Sequence, residues 1–148
     1  NVPIVYTGAL DELFQCRYGK LPYRSLSFEY RTLPTSDFQP TPGVAYPLVD
    51  GYTRITEFSK LMPLPPNTDK TIIAYEYPEK YGSDKGKEAY YPILTAESQK
   101  LYLRYLEEAK RYPLLYPCGR LGDFKYYNMD QAISRAAALF EKLPLCKN

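Results

Sequence analysis

The chain has 148 residues, 45% hydrophobic and 24% charged, with a formal net charge of +2 and no histidine. That is enough chain for one domain with a core. The near-balanced charge gives no footing for nucleic acid or a membrane surface, no apolar run approaches the roughly 18 residues of a membrane span, and the lack of histidine excludes a histidine-based triad within this chain and argues against a zinc site.

In chain order, Ile4 to Tyr6 reads as a short buried strand ending at Gly8, and Asp11 to Gln15 as a helical turn. Tyr23 to Leu33 alternates, with Leu26, Phe28 and Tyr30 on one face and Ser25, Ser27, Glu29 and Arg31 on the other, the pattern of a half-buried strand. Pro34 to Gly43 carries three prolines and is a loop. Val44 to Val49 is strand-like, but Pro47 restricts it to an edge or a bulge. Tyr52 to Phe58 alternates again, which puts Tyr52, Arg54 and Thr56 on one face. Leu61 to Asp69 is a second proline-rich loop, Thr71 to Tyr77 a β-branched and aromatic strand, and Glu79 to Glu88 an exposed charged connection. From Glu97 the period changes: Leu101, Tyr102, Tyr105, Leu106, Ala109 and Tyr112 mark an amphipathic helix that Pro113 stops. Leu114 to Cys118 is a strand interrupted by Pro117. Met129, Ile133, Ala136, Ala137 and Phe140 mark a final helix that ends before Pro144. Strands first and helices last imply an α+β fold with a largely antiparallel β-sheet and C-terminal helices.

Cys16, Cys118 and Cys146 are odd in number and lack metal-ligand spacing, which suits reduced thiols in a cytoplasmic protein. Tyrosine is over-represented, with 17 copies against 6 phenylalanines and no tryptophan. Such a surplus suits a polar ligand surface, such as a sugar or diphosphate site, although most such rings pack in strands. The start, Asn1-Val2-Pro3-Ile4, lacks both an initiator Met and the basic region of a signal peptide, as expected of a piece of a longer chain.

The densest motif is Gly119-Arg120-Leu121-Gly122-Asp123-Phe124-Lys125-Tyr126-Tyr127-Asn128-Met129-Asp130-Gln131. Asn128 is a good helix N-cap, and Gln131 at N3 completes a capping box. The residues alone allow two readings: an ordinary capped helix, or a helix start that attracts an anion, with Arg120 adding a forked cation.

This run resembles the C-terminal flavin-contacting segment of the UDP-galactopyranose mutases, where a Gly-Arg-Leu turn leads through spaced tyrosines into the last helix. The resemblance extends to Tyr6-Thr7-Gly8, Asp11-Glu12-Leu13-Phe14, Leu21-Pro22-Tyr23-Arg24-Ser25-Leu26, Tyr52-Thr53-Arg54-Ile55-Thr56-Glu57 and Tyr90-Tyr91-Pro92-Ile93, in the family's order. No G-x-G-x-x-G occurs, nor does the family's helical substrate-binding insert. The resemblance therefore implies a C-terminal fragment that completes the FAD domain of a larger flavoenzyme. Residues 1–20 and 96–148 would belong to the FAD domain, and residues 21–95 to the antiparallel-sheet domain.

What the resemblance implies for function is specific. The parent would interconvert UDP-galactopyranose and UDP-galactofuranose with reduced FAD, in the cytoplasm, for cell-wall polysaccharide biosynthesis. The fragment alone would be inactive. Arg54 would be catalytic and, with Tyr91 and Tyr126, would bind the substrate diphosphate. Arg120, Asn128 and Met129 would bind the cofactor. The partner would be UDP-galactose, as UDP-galactopyranose and UDP-galactofuranose, with no nucleic acid and no membrane, and the oligomeric state of the parent is left open. Three departures stand out. Asn128 replaces a frequent aspartate, Phe124 replaces a frequent tyrosine, and Ala45 to Gly51 is shortened. Two other readings remain: a fragment of an amine-oxidase-like flavoenzyme, and a non-enzymatic nucleotide-sugar binding module.

Overall fold

The computed structural model describes residues 2–61, 69–82 and 88–144. In chain order the elements are β1 (Ile4–Tyr6), α1 (Leu10–Leu13), β2 (Tyr23–Leu33), β3 (Gly43–Ala45), β4 (Arg54–Glu57) and a 3-10 turn (Phe58–Lys60). They continue with β5 (Thr71–Lys80), β6 (Tyr91–Pro92), α2 (Ala96–Ala109), β7 (Leu115–Pro117), α3 (Gly119–Gly122) and α4 (Met129–Phe140). They form two compact units. One comprises Asn1–Arg24 with Tyr81–Asn148, the other Ser25–Lys80. The Cys146 thiol, most of the expected loop from Leu61 to Asp69, and part of the Glu79 to Glu88 connection lie outside the described residues.

The first unit is built around α2. Its start is fixed by a reciprocal cap: the Ser98 N–H donates to Thr95 Oγ1 at 3.1 Å, and the Thr95 N–H donates to Ser98 Oγ at 2.8 Å, worth about 1 kcal/mol. The helix buries Tyr105 and Ala109 against Leu10, Phe14, Leu21, Tyr23 and Phe124. Each large apolar side chain in that cluster contributes roughly 1.5–3 kcal/mol of burial. The Tyr105 hydroxyl donates to the Gly19 carbonyl at 2.6 Å and accepts from the Tyr18 N–H at 3.0 Å, so its burial leaves no unmet polar atom. The helix ends at Ala109, before Tyr112, which instead packs its ring 6.0 Å from Phe14.

β1 and β7 pair in parallel, with Ile4 opposite Leu115 and Tyr6 opposite Pro117. The sequence expectation of a buried β1 is corrected. Ile4 is 58% exposed, and Val5 is exposed as well. Parallel strands are normally covered on both faces, and among the described residues nothing supplies that cover. α4 carries a related correction. Its apolar stripe of Met129, Ile133 and Phe140 is exposed, Met129 to 84%. The helix is held by the adjacent stripe, where Leu139 is buried and Ala132 and Arg135 are half-buried. Periodicity identified an apolar face but not which elements were present to cover it.

In the second unit the strands run β3-β4-β5-β2, with the first residues of β2 continuing into the other unit to pair with β6. β3 and β4 are antiparallel (Val44 opposite Ile55), as are β4 and β5 (Arg54 opposite Glu76, Ile55 opposite Tyr75). β2 and β6 are antiparallel with Arg24 opposite Tyr91. The fold is therefore α+β with a largely antiparallel sheet. β3 is an edge strand that stops before Pro47, because a proline cannot donate to the ladder.

Two side-chain expectations are corrected here. Phe28 and Tyr30 on β2 are exposed, and lie in an aromatic row with Phe58 (6.4 and 6.1 Å between ring centres). Only the start of β2, Tyr23 and Ser25, is buried. Tyr52 does not share a face with Arg54. Its ring lies 4.9 Å from Tyr75, which sits opposite Ile55 and so projects from the other side of the sheet. The alternation breaks because β4 begins only at Arg54, after Gly51 turns at φ +107°.

The buried face of this unit holds Ile55, Ile73, Thr71 and, with 0% exposure, Glu57. The Glu57 carboxylate accepts from the backbone N–H groups of Phe38 and Gln39, both at 3.0 Å, and from the Ser59 hydroxyl at 3.2 Å. Burial pushes its pKa up, but the Gln39 and Phe38 N–H groups and the Thr71 and Ser59 hydroxyls outweigh that and hold it below the ordinary carboxylate value. The carboxylate thus ties the loop of residues 34–42 to β4.

Candidate functional site

The first unit brings together three residues that the sequence assigned to different ligands. The rings of Tyr91, on β6, and Tyr126, in the segment before α4, stack with centres 5.2 Å apart and planes 24° from parallel. The Arg120 guanidinium, on α3, lies 4.8 Å from the Tyr91 ring centre and 5.3 Å from that of Tyr126. Cation–π contact of this kind is worth about 0.5–1 kcal/mol at an exposed site. Arg120 Nη2 also donates to the Tyr127 carbonyl at 2.7 Å, which fixes the plane of the fork while leaving other N–H groups free to donate.

Local chemistry explains why Arg120 sits there. Gly119 adopts φ +89° and Phe124 φ +49°, so the single turn of α3 is bounded on both sides by left-handed residues. The sequence reading made this stretch a plain glycine turn; it is one helical turn, with the Asp123 N–H donating to the Gly119 carbonyl at 2.8 Å. Gly122 is required for packing rather than for φ. A Cβ there would meet the Tyr6 carbonyl oxygen at 2.7 Å, closer than any side chain tolerates.

A surface pocket of about 490 Å³ opens beside the two rings. It is lined by Arg24, Tyr91, Pro92, Ile93, Leu94 and Tyr126. Tyr126 is 57% exposed, so its phenol is available to a ligand. Arg24 is the residue that sequence reasoning passed over. It lies inside the quoted Leu21-Pro22-Tyr23-Arg24-Ser25-Leu26 motif, but pairing of β2 with β6 across more than sixty intervening residues is what sets it opposite Tyr91. The pocket offers one cation and two phenols on an apolar floor, a donor set suited to a diphosphate joined to a ring.

Asn128 is the N-cap of α4, and its backbone N–H donates to Gln131 Oε1 at 2.9 Å. Met129 follows as an exposed apolar side chain at the first helical position. Burial, then the Asp123 charge, raises the Tyr127 phenol above its ordinary pKa, so it stays a donor near neutrality. Arg54 belongs to the second unit. It is exposed on β4, on the face it shares with Thr56 and opposite Glu76. A larger cavity in the first unit, about 730 Å³, is lined mainly by apolar groups such as Val2, Leu13, Phe14 and Pro113, and none of the residues singled out for chemistry faces it.

Comparison with known proteins places these features in context. Residues 1–126 match the family model described as UDP-galactopyranose mutase. A UDP-galactopyranose mutase of Mycoplasma pneumoniae is 34% identical over 143 residues, 95% of this chain and 36% of the relative. One of Mycoplasma genitalium is 34% identical over 133 residues, 88% of this chain and 33% of the relative. A dTDP-fucopyranose mutase of Escherichia coli is 29% identical over 134 residues, 90% of this chain and 35% of the relative. The chain thus spans about a third of the length of the curated relatives it matches.

Proposed function

Because the chain belongs to the UDP-galactopyranose mutase family, we propose that it is the C-terminal part of a cytoplasmic, flavin-dependent mutase that interconverts UDP-galactopyranose and UDP-galactofuranose. The observation that carries this reading is the convergence of Arg120, Tyr91 and Tyr126 beside one pocket. On this reading residues 1–20 and 96–148 complete the FAD domain, and residues 21–95 form the sheet domain.

The reaction breaks the bond between the anomeric carbon and the diphosphate, with the electron pair leaving on the diphosphate oxygen. Tyr91 and Tyr126 donate hydrogen bonds to that developing charge without adding charges of their own, and Arg54 supplies a forked cation. Arg120 orders the two rings rather than meeting the sugar. The start of α4 suits a flavin: Arg120 retains free N–H donors, and the exposed thioether of Met129 offers an apolar contact beside a capped helix N-terminus. Reduced flavin, when bound, supplies the nucleophile for the anomeric carbon. Residues Arg120, Asn128 and Met129 would hold it.

The test is turnover in the full-length protein that carries this chain, with chemically reduced flavin and UDP-galactofuranose, read as chromatographic appearance of the pyranose. Arg54→Ala should remove most turnover, since losing a charge-assisted donor to a leaving group costs about 2.7–4 kcal/mol. Arg54→Lys should restore little. Full turnover in Arg54→Ala removes that residue from the site; no interconversion by the unaltered protein refutes the reading. Competition between UDP and dTDP distinguishes the nucleotide suggested by the Escherichia coli relative's name.

A further inference from the structure

Asp123 was given no role by the sequence, yet it is the residue on which the Arg120 turn closes. Its Oδ2 accepts from the Gly119 N–H at 3.0 Å and from the Tyr127 hydroxyl at 3.3 Å. Its Oδ1 accepts from Arg135 Nη2 at 2.9 Å. The same Arg135 nitrogen donates to the Pro117 carbonyl at 3.0 Å, the last residue of β7. Asp123 and Gly119 are therefore bonded twice in opposite senses, backbone N–H to carbonyl and N–H to carboxylate. Arg120 lies within that ring.

The second half of the arrangement runs through Arg120 itself. Its carbonyl accepts the Lys125 N–H at 3.0 Å, and its guanidinium donates to the Tyr127 carbonyl. Tyr126 is thus held between two bonds to Arg120, while Tyr127 is held from its other end by Asp123. The side chains of both members of the pair are largely removed from solvent, 13% exposed for Asp123 and 30% for Arg135. A partly buried, hydrogen-bonded ion pair of this sort costs much to break by removing one partner.

We propose that the Asp123–Arg135 pair is the positioning element of the diphosphate site: it locks α3 to α4 so that the Arg120 fork and the Tyr126 ring meet Tyr91 in one geometry. The proposal rests on the reading of Tyr91 and Tyr126 as diphosphate-binding. Neither Asp123 nor Arg135 contacts the ligand. Their effect is transmitted through Gly119, Tyr127 and Arg120, and a shift of about 1 Å in a positioned group costs on the order of 100-fold in a reaction that depends on it.

The experiment uses the full-length, flavin-loaded protein and the variants Asp123→Asn, Arg135→Met and their double, with Tyr126→Phe as the direct-contact reference. UDP alone is the probe, its dissociation constant read from the flavin fluorescence change, alongside KM and kcat for UDP-galactofuranose. Asp123→Asn should raise the UDP dissociation constant and lower kcat for UDP-galactofuranose, each by roughly 10- to 100-fold, because Tyr91 and Tyr126 meet charge that grows as the diphosphate leaves, with the thermal unfolding midpoint of the protein unchanged. The double variant should be no worse than the poorer single, because the two residues act as one unit. If Asp123→Asn binds UDP like the unaltered protein while Tyr126→Phe binds it more weakly, the pair does not position the site. A fall in the thermal midpoint in step with the loss of UDP binding makes the pair a fold element and likewise overturns the proposal. If Tyr126→Phe also binds UDP normally, the diphosphate reading falls, and this inference falls with it. Should Asp123→Asn fail to fold, Arg135→Lys, which keeps the charge but loses the fork, gives the same split on a milder scale.

Discussion

Replacing Glu57 by glutamine isolates what one buried carboxylate does for the loop of residues 34–42. The carboxylate holds two backbone N–H groups at 3.0 Å and the Ser59 hydroxyl at 3.2 Å. Glutamine keeps one oxygen and turns an NH2 group toward donors that need an acceptor. One charge-assisted bond, about 1.5–3 kcal/mol, is lost, and one backbone N–H is left unmet at about 1–3 kcal/mol. The lower ends of the two terms together come to about 2.5 kcal/mol, roughly a 70-fold rise in loop opening. Hydrogen exchange of the Phe38 and Gln39 amides in the full-length protein reads that directly. The acid response carries a definite sign. The folded-state pKa lies below the ordinary value of 4.5, so the stabilisation is fully present above about pH 4.5 and disappears as pH falls through the folded value. The unaltered protein should lose loop protection in that acid window, after correction for intrinsic exchange, and Glu57→Gln should not. Protection within twofold of the unaltered protein, or the same acid response in both, would refute the account.

Gly122→Ala places a methyl group 2.7 Å from the Tyr6 carbonyl oxygen; the backbone must shift, and a loss of about 1–3 kcal/mol is expected in denaturant midpoint for the first unit. At the start of α4, Asn128→Asp should leave stability within a few tenths of a kcal/mol, because the two cap almost equally, whereas Asn128→Ala should cost about 0.5–2 kcal/mol by the same measurement. If Asn128→Asp instead changes the pH profile of turnover in the full-length protein, the position takes part in ligand ordering beyond its cap.

Local chemistry was legible in the sequence. The extended run from Tyr23 to Leu33 and the cap at Asn128 depend on neighbours within a few residues, and both have counterparts in the structure. What could not be read was which face finds cover. The apolar stripes of α4 and β2 are real, yet Ile133 and Tyr30 are exposed, because periodicity is a property of the segment and burial is a property of its neighbours. The same limit hid the site's support. Asp123 looks like an ordinary polar turn residue until Arg135 is brought back to it by the fold. Glu57 looks like the polar half of an alternating strand until the loop from Pro34 closes over it. Tyr52 was misassigned for a more local reason: Gly51 turns the chain, so the count of two did not begin where the aromatic did.

The two compact units differ in how they are strung. Ser25–Lys80 is one uninterrupted stretch, whereas the other unit is assembled from Asn1–Arg24 and Tyr81–Asn148. The inner stretch therefore closes its sheet from contacts of modest sequence separation, while Ile4 waits for Leu115 and Leu21 and Tyr23 wait for Tyr105 and Phe124. At roughly 5–20 residues per second of synthesis, that wait lasts several seconds. During it the ribosome-bound chain presents Leu10, Phe14, Leu21 and Tyr23 without Tyr105, Ala109 and Phe124, which complete their cluster. The inner unit is set to form first and the outer one last. The interval between them is when a nascent chain of this design is most exposed to misassociation and most dependent on chaperone cover.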